Sequence, residues 1–149
     1  NVLIRYHGGA KGVLHCSKIS CGEENNLNIR IYGTKGSLAW QQEHPNELKF
    51  IPKGEAARIL RRGNGYVSDV AKKFTRLPFG HPEAFIEAFA NIYLEAIAAI
   101  RAKIEGRRVN ADFPTVEDGI IGMAFIETAV KSAASRAKWT KFPKLQTTT

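Results

Sequence analysis

Cysteine is scarce in this chain, methionine nearly absent, and uninterrupted apolar runs are short. Only two cysteines, Cys16 and Cys21, occur among 149 residues. That is too few for a disulfide framework, and with no companion Cys/His set they form no zinc pattern. The expectation is two buried free thiols in or beside a strand, in a reducing cytoplasm. His7, His15 and His44 fall into no ligand spacing either, so no metal site is expected. The longest apolar-rich stretch, Phe85 to Ile104, is broken by Glu87, Asn91, Glu95, Arg101 and Lys103. It falls short of the roughly 18 consecutive apolar residues of a membrane span, and no membrane partner is expected. No leader pattern is visible, and the single methionine is Met123. Asn1 runs straight into the strand-like Val2-Leu3-Ile4. The chain therefore reads as one domain, 1–149, cut from a longer protein, with 144–149 as a loose tail.

Acidic residues are also in deficit. Fourteen Asp and Glu face 22 Lys and Arg, a formal charge of +8. A nucleic-acid surface is one explanation of such a charge. The basic clusters are dispersed, however, and no aromatic residues interleave with them as stacking platforms. Solvated faces, or contacts with the rest of a parent chain, account better for the charge, and no nucleic acid is expected.

What is present is a strand-like half followed by a helical half. Val2–Tyr6, Gly12–Ile19, Leu27–Tyr32, Ser37–Trp40 and Glu47–Ile51 read as strands, with another near Ala57–Leu60. Turn signals separate them, notably His7-Gly8-Gly9 and Gly33-Thr34-Lys35-Gly36, and argue for an antiparallel meander. Arg61 to Tyr66 reads as exposed loop, and Phe74 to Pro78 as extended chain. A helix is predicted from Glu83 to about Ile104, with Phe89 and Tyr93 as core residues on its apolar stripe and Gly106 as its stop. A second helix is capped by Thr115, with Asp118 in a capping-box position. Strands first and helices after predict an α+β fold: an open, largely antiparallel sheet with helices packed on one face. The other face, carrying Leu3, Leu14 and Tyr32 among polar residues, suits a contact with another subunit.

The stretch Gly80-His81-Pro82-Glu83 carries the strongest functional signal. Gly80 permits a tight turn, Pro82 pre-sets a first helical residue, and Glu83 complements the helix N-terminus. His81 is left at the mouth of the helix, where its neutral ring can both donate and accept a hydrogen bond. It is a candidate contact for a substrate hydroxyl, against the alternative of capping the helix. Trp40, ending a strand, is a candidate to stack on a sugar ring, against the alternative of simple packing. Asp112 and Asp118 imitate an acid/base pair, but the capping position of Asp118 favours a structural role.

Three segments together resemble a known family. Gly33-Thr34-Lys35-Gly36-Ser37-Leu38, Gly80-His81-Pro82-Glu83 with Glu87 to Tyr93, and Pro114-Thr115-Val116-Glu117-Asp118-Gly119 are similar to the C-terminal domain of the Gfo/Idh/MocA oxidoreductases. The segment Ser132 to Trp139 is similar to that family's closing segment. The resemblance implies a fold like the C-terminal domain of glyceraldehyde-3-phosphate dehydrogenase. It implies a two-domain parent whose N-terminal Rossmann domain binds NAD or NADP. This domain would complete the site for a sugar, polyol or related hydroxy compound, and would form a homo-oligomer, dimer or tetramer, through the open sheet face. Neither a G-x-G-x-x-G unit nor the family's Glu-Lys-Pro lysine motif or Asp-x-x-x-His pair occurs in this sequence. No catalytic residue is carried over, and no cofactor is expected on this chain alone. The rival reading is a non-catalytic module for dimerisation or protein interaction.

Overall fold

A computed structural model describes residues 1–109 and 112–145. The elements follow the order β1 (Val2–Arg5), β2 (Lys11–Leu14), β3 (Asn28–Tyr32), β4 (Gly36–Gln41), β5 (Glu47–Pro52), β6 (Arg58–Arg61), α1 (Asp69–Lys73), α2 (Phe85–Ile104) and α3 (Val116–Ala134). Among the described residues the result is an alpha/beta domain with open antiparallel sheets and three helices. It divides into two units. One joins Asn1–Ser20 to the segment from Asp112 onward, and the other begins at Cys21 and runs through α2. The tail assigned to 144–149 lies outside the described residues from 146 on. Among the described residues, no helix is long and apolar enough to cross a membrane.

In the first unit, β1 and β2 form a hairpin in which Val2 faces Leu14, Leu3 faces Val13, and Arg5 faces Lys11. The turn is closed by the Gly9 N–H donating to Tyr6 O at 3.0 Å and the Tyr6 N–H donating to Ala10 O at 2.9 Å. Opposed residues project to the same side of a pair. Leu14 therefore shares the face of Val2 and Ile4, not that of Leu3, so the expected grouping of Leu3 with Leu14 does not hold. Nor does Tyr32 join them, because it belongs to a different sheet. The meander is split after β2. The strand stops at Leu14 rather than Ile19 because Val2–Leu14 is the last pair of its ladder. Cys16 and Cys21 consequently fall in the connection beyond it, as exposed free thiols rather than buried ones. Arg5 lies over the ring of Trp139, 4.0 Å from its centroid, a cation–π contact that tethers the C-terminal segment to β1.

α3 begins where its sequence signal places it. The Asp118 carboxylate accepts from the Thr115 N–H at 2.7 Å and from its Oγ1 at 3.0 Å. Those two bonds, the backbone one first, hold Asp118 below the ordinary carboxylate range.

In the second unit, β3-β4-β5-β6 is an antiparallel meander in sequence order. Register sorts its side chains. Ile29 faces Trp40 and Ile31 faces Leu38. Trp40 then faces Leu48, and Leu38 faces Phe50, while Leu48 faces Leu60. This makes one apolar face. Arg30, Tyr32, Ser37, Ala39, Lys49, Ile51 and Ile59 belong to the other, which is mixed. The strand anticipated near Ala57–Leu60 is β6. The stretch read as extended, Phe74–Pro78, follows a helical turn, α1, in which Ser68 Oγ caps the Ala71 N–H. Lys73 and Glu95 pair at 2.7 Å, linking α1 to α2.

α2 ends at a Schellman motif, with the Arg107 N–H donating to Ala102 O at 2.8 Å and the Gly106 N–H donating to Lys103 O at 3.2 Å. Gly106 is thus the stop that its position suggests. Along the helix, Phe89 is 47% and Tyr93 66% exposed, not core. Phe89 packs instead on Phe85 of its own helix, centroids 4.8 Å apart.

Candidate functional site

The start of α2 departs from the sequence expectation, and the departure builds the site. The helix begins at Phe85, with Ala84 as its N-cap. Glu83 does not serve the helix end. That role falls to Glu87, whose carboxylate accepts the Ala84 N–H at 2.9 Å. This bond is the main reason Glu87 is held below the ordinary carboxylate range. Pro82 lies before the helix rather than in its first turn.

Glu83 instead turns inward and is 6% exposed. Its Oε1 accepts the Arg76 N–H at 2.6 Å and also the Leu77 N–H. Its own N–H donates to Asn46 Oδ1 at 3.0 Å. The same Asn46 oxygen accepts from Arg62 Nε at 2.8 Å. Arg62 Nη1 stands 3.5 Å from Glu83 Oε1 and donates to Leu77 O at 2.8 Å. Its Nη2 donates to His81 O and, at 3.5 Å, to Pro78 O. One guanidinium fork therefore gathers three carbonyls of the 77–81 loop, and the carboxylate of Glu83, just beyond it, gathers the amides of Arg76 and Leu77 at its start. A charge this deeply buried requires such partners.

Backbone fit reinforces the arrangement. Gly63 adopts φ +77°, and a Cβ there would lie 3.0 Å from Phe79 N and 3.1 Å from Phe79 Cα. Only glycine lets the turn after β6 approach the loop so closely. Gly80 has φ +81°, as its place in a tight turn demands, and the His81 N–H donates to Pro78 O at 3.3 Å.

His81 is exposed at the tip of this loop. Its Nδ1 lies 3.3 Å from Phe79 O. A neutral ring donating from Nδ1 presents an acceptor at Nε2. Trp40 sits elsewhere, in the middle strand β4, with its indole N–H donating to Pro45 O at 3.1 Å. That bond satisfies the one polar atom of the half-buried ring. Trp40 also borders a shallow hollow of about 410 Å³ whose lining includes Arg30, Tyr32, Ser37, Ile51 and Ile59 of the mixed face.

Asn46, Arg62 and Glu83 were not singled out as a group by sequence reasoning. Arg62 lies in a stretch with the composition of exposed loop, and Glu83 beside a helix start. The pairing of both with Asn46 has no local signature.

A dinucleotide cradle needs a strand leading through a glycine-rich turn into a helix N-terminus. The step from β6 through Gly63-Asn64-Gly65 leads only to the five-residue α1, whose first turn Ser68 already caps. That step does not fit the pyrophosphate of a nicotinamide cofactor.

Over residues 1–142 the sequence matches the oxidoreductase family's C-terminal alpha/beta domain of the Gfo/Idh/MocA group. It is 39% identical to the uncharacterized oxidoreductase YfiI of Bacillus subtilis, across 95% of this chain and 37% of that protein. Levoglucosan dehydrogenase of Pseudarthrobacter phenanthrenivorans is 26% identical, across 96% of this chain and 35% of its own length. Among solved structures, an inositol dehydrogenase homologue from Azotobacter vinelandii complexed with NAD+ superposes with a TM-score of 0.89 at 33% identity, covering 94% of this chain and 37% of that one. A structure of an inositol dehydrogenase homologue from the same organism, complexed with NADH and myo-inositol, superposes with a TM-score of 0.81 at 34% identity, covering 89% and 36%. The chain thus spans well under half the length of these relatives. Its strand–helix order, its helix caps and its match over residues 1–142 agree: the chain belongs to the Gfo/Idh/MocA oxidoreductase family, as its C-terminal alpha/beta domain.

Proposed function

We propose that this chain is the substrate-side and oligomerisation domain of an NAD- or NADP-dependent dehydrogenase acting on a sugar, polyol or related hydroxy compound in the cytoplasm. The observation that carries the reading is the exposed His81 ring, displayed on a loop whose backbone is held from both sides. With Nδ1 engaged by Phe79 O, the ring offers Nε2 to a hydroxyl. Relatives named for inositol and levoglucosan act on, or are bound to, compounds of this class. Trp40 is the second candidate wall, an apolar ring for the C–H face of a sugar. A nicotinamide bound elsewhere in the whole protein would supply the hydride chemistry. His81 binds and orients a hydroxyl.

The open sheet face, with Tyr32 77% exposed beside Arg30 and Ser37, is the surface proposed for contact with a second copy.

The test uses the intact protein with NAD+ or NADP+ and a panel containing myo-inositol, other polyols and aldoses, followed at the absorbance of the reduced nicotinamide. Turnover of at least one member is expected. His81→Ala should raise KM for that member about 5- to 10-fold, the worth of one hydrogen bond to an uncharged hydroxyl, with a smaller change in kcat. No turnover across the panel would sink the substrate class. An unchanged KM in His81→Ala would remove His81 from the site.

A further inference from the structure

We infer that Glu83 and Arg62 form a positioning pair that presents His81, so that the geometry of the substrate wall is set by an ion pair around a buried carboxylate and not by the helix it precedes. The inference rests on the reading of His81 as a substrate contact. Four observations carry it.

First, the pair is sheltered from water: the Glu83 side chain is buried, 5% exposed, and the Arg62 side chain half-buried, 17% exposed. Groups so sheltered are not held for solubility.

Second, the two side chains act on complementary halves of the same loop. Glu83 takes the amides of Arg76 and Leu77 at its start. Arg62 takes the carbonyls of Leu77, Pro78 and His81 through its middle and end. Few freedoms are left to the segment that carries the imidazole.

Third, Asn46 ties the pair to the β4–β5 connection, by accepting from both Arg62 Nε and the Glu83 N–H. The loop is thereby referenced to the sheet.

Fourth, Gly63 abuts Phe79 with no room for a side chain. The guanidinium and the neighbouring turn therefore approach the loop together.

A planar fork suits this work. Lysine at position 62 keeps the charge but cannot reach several carbonyls in fixed directions. Glutamine at position 83 keeps the shape but loses the charge that faces Arg62 and strengthens the two amide bonds.

The test uses the intact protein carrying Arg62→Lys or Glu83→Gln. Hydrogen–deuterium exchange read by mass spectrometry should show amides in a peptide spanning 75–84 exchanging about 10-fold faster than wild type. Peptides from β3 to β5 should be unchanged. Kinetics with myo-inositol and NAD+, or with whichever polyol or aldose the intact protein turns over, should show KM raised about 5- to 10-fold while kcat stays within about 2-fold. Combined with His81→Ala, either substitution should add little further to KM, because both act through the same contact.

Unchanged exchange in 75–84 would overturn the inference, as would acceleration spread evenly over the domain. Full additivity with His81→Ala would overturn it too. If one variant fails to fold, the other carries the same measurements. Should His81→Ala alone leave KM unchanged, the substrate reading fails, and the localised exchange result still decides whether the pair holds the loop.

Discussion

The loop before α2 and the open face of the β3–β6 sheet are built on opposite terms. In the loop, the Glu83 carboxylate is buried, Arg62 and Asn46 are half-buried, and each finds its partners inside the chain: Glu83 with two amides and Arg62, and Arg62 with three carbonyls and Asn46. On the sheet face, large side chains such as Tyr32 and Ile59 are exposed beside Arg30 and Lys49. The first region is complete in itself, because a buried charge without partners is too costly to persist. The second is a surface whose apolar area gains only when something covers it. Damage to the loop should therefore appear in the stability of the domain, and damage to the sheet face in its association.

Glu83→Ala should break that contrast most strongly. It leaves two loop amides without their acceptor and the half-buried guanidinium of Arg62 without its counter-charge, at a cost of about 3 kcal/mol, measured by urea denaturation. A loss below about 1 kcal/mol would mean that water replaces the carboxylate and that the loop is not self-sufficient.

Gly63→Ala tests the same region through the backbone. The new Cβ would stand 3.0 Å from Phe79 N, in a left-handed conformation. A loss of about 2 kcal/mol is expected on the same denaturation curve. A neutral result would show that the loop shifts freely.

Tyr32→Lys sharpens the other side. Its stability change should stay within about 0.5 kcal/mol, as for an exposed position. The molar mass of the intact protein by light scattering should nevertheless fall toward that of a monomer. An unaltered mass would remove this face as the contact proposed for a second copy.

Much of the fold is legible in the chain. Period-two alternation marks β3, and Gly33 to Gly36 marks its turn into β4. Thr115 with Asp118 marks the start of α3, and Gly106 the end of α2. Each signal involves residues within a few positions of one another, so the local chain carries it. The site is less legible. His81 is visible as an exposed imidazole beside a glycine turn, but its supports are not. A boundary signal misassigned Glu83 because Pro82 and an acid suit a helix start equally well whether the acid caps the helix or folds under the loop. Glu87, four residues further on, takes the capping role and releases Glu83 for burial.

Composition also misplaced the cysteines. Their expected burial assumed a strand continuing to Ile19, while the ladder ends at Leu14 where its partner ends at Val2. The face assigned to Leu14 failed for a related reason: alternation within a strand says which residues share a side, but only the register between strands says which side that is.

By itself, then, the sequence determined the order of the strands and of the two long helices, the start of α3, the end of α2, and the family, because these depend on near neighbours and on motifs in series. Only the tertiary structure decided that an arginine in a turn and a glutamate before a helix form one cluster around a buried carboxylate. The Glu83 N–H and its acceptor on Asn46 are 37 residues apart, and no local rule of propensity or capping reaches across that distance.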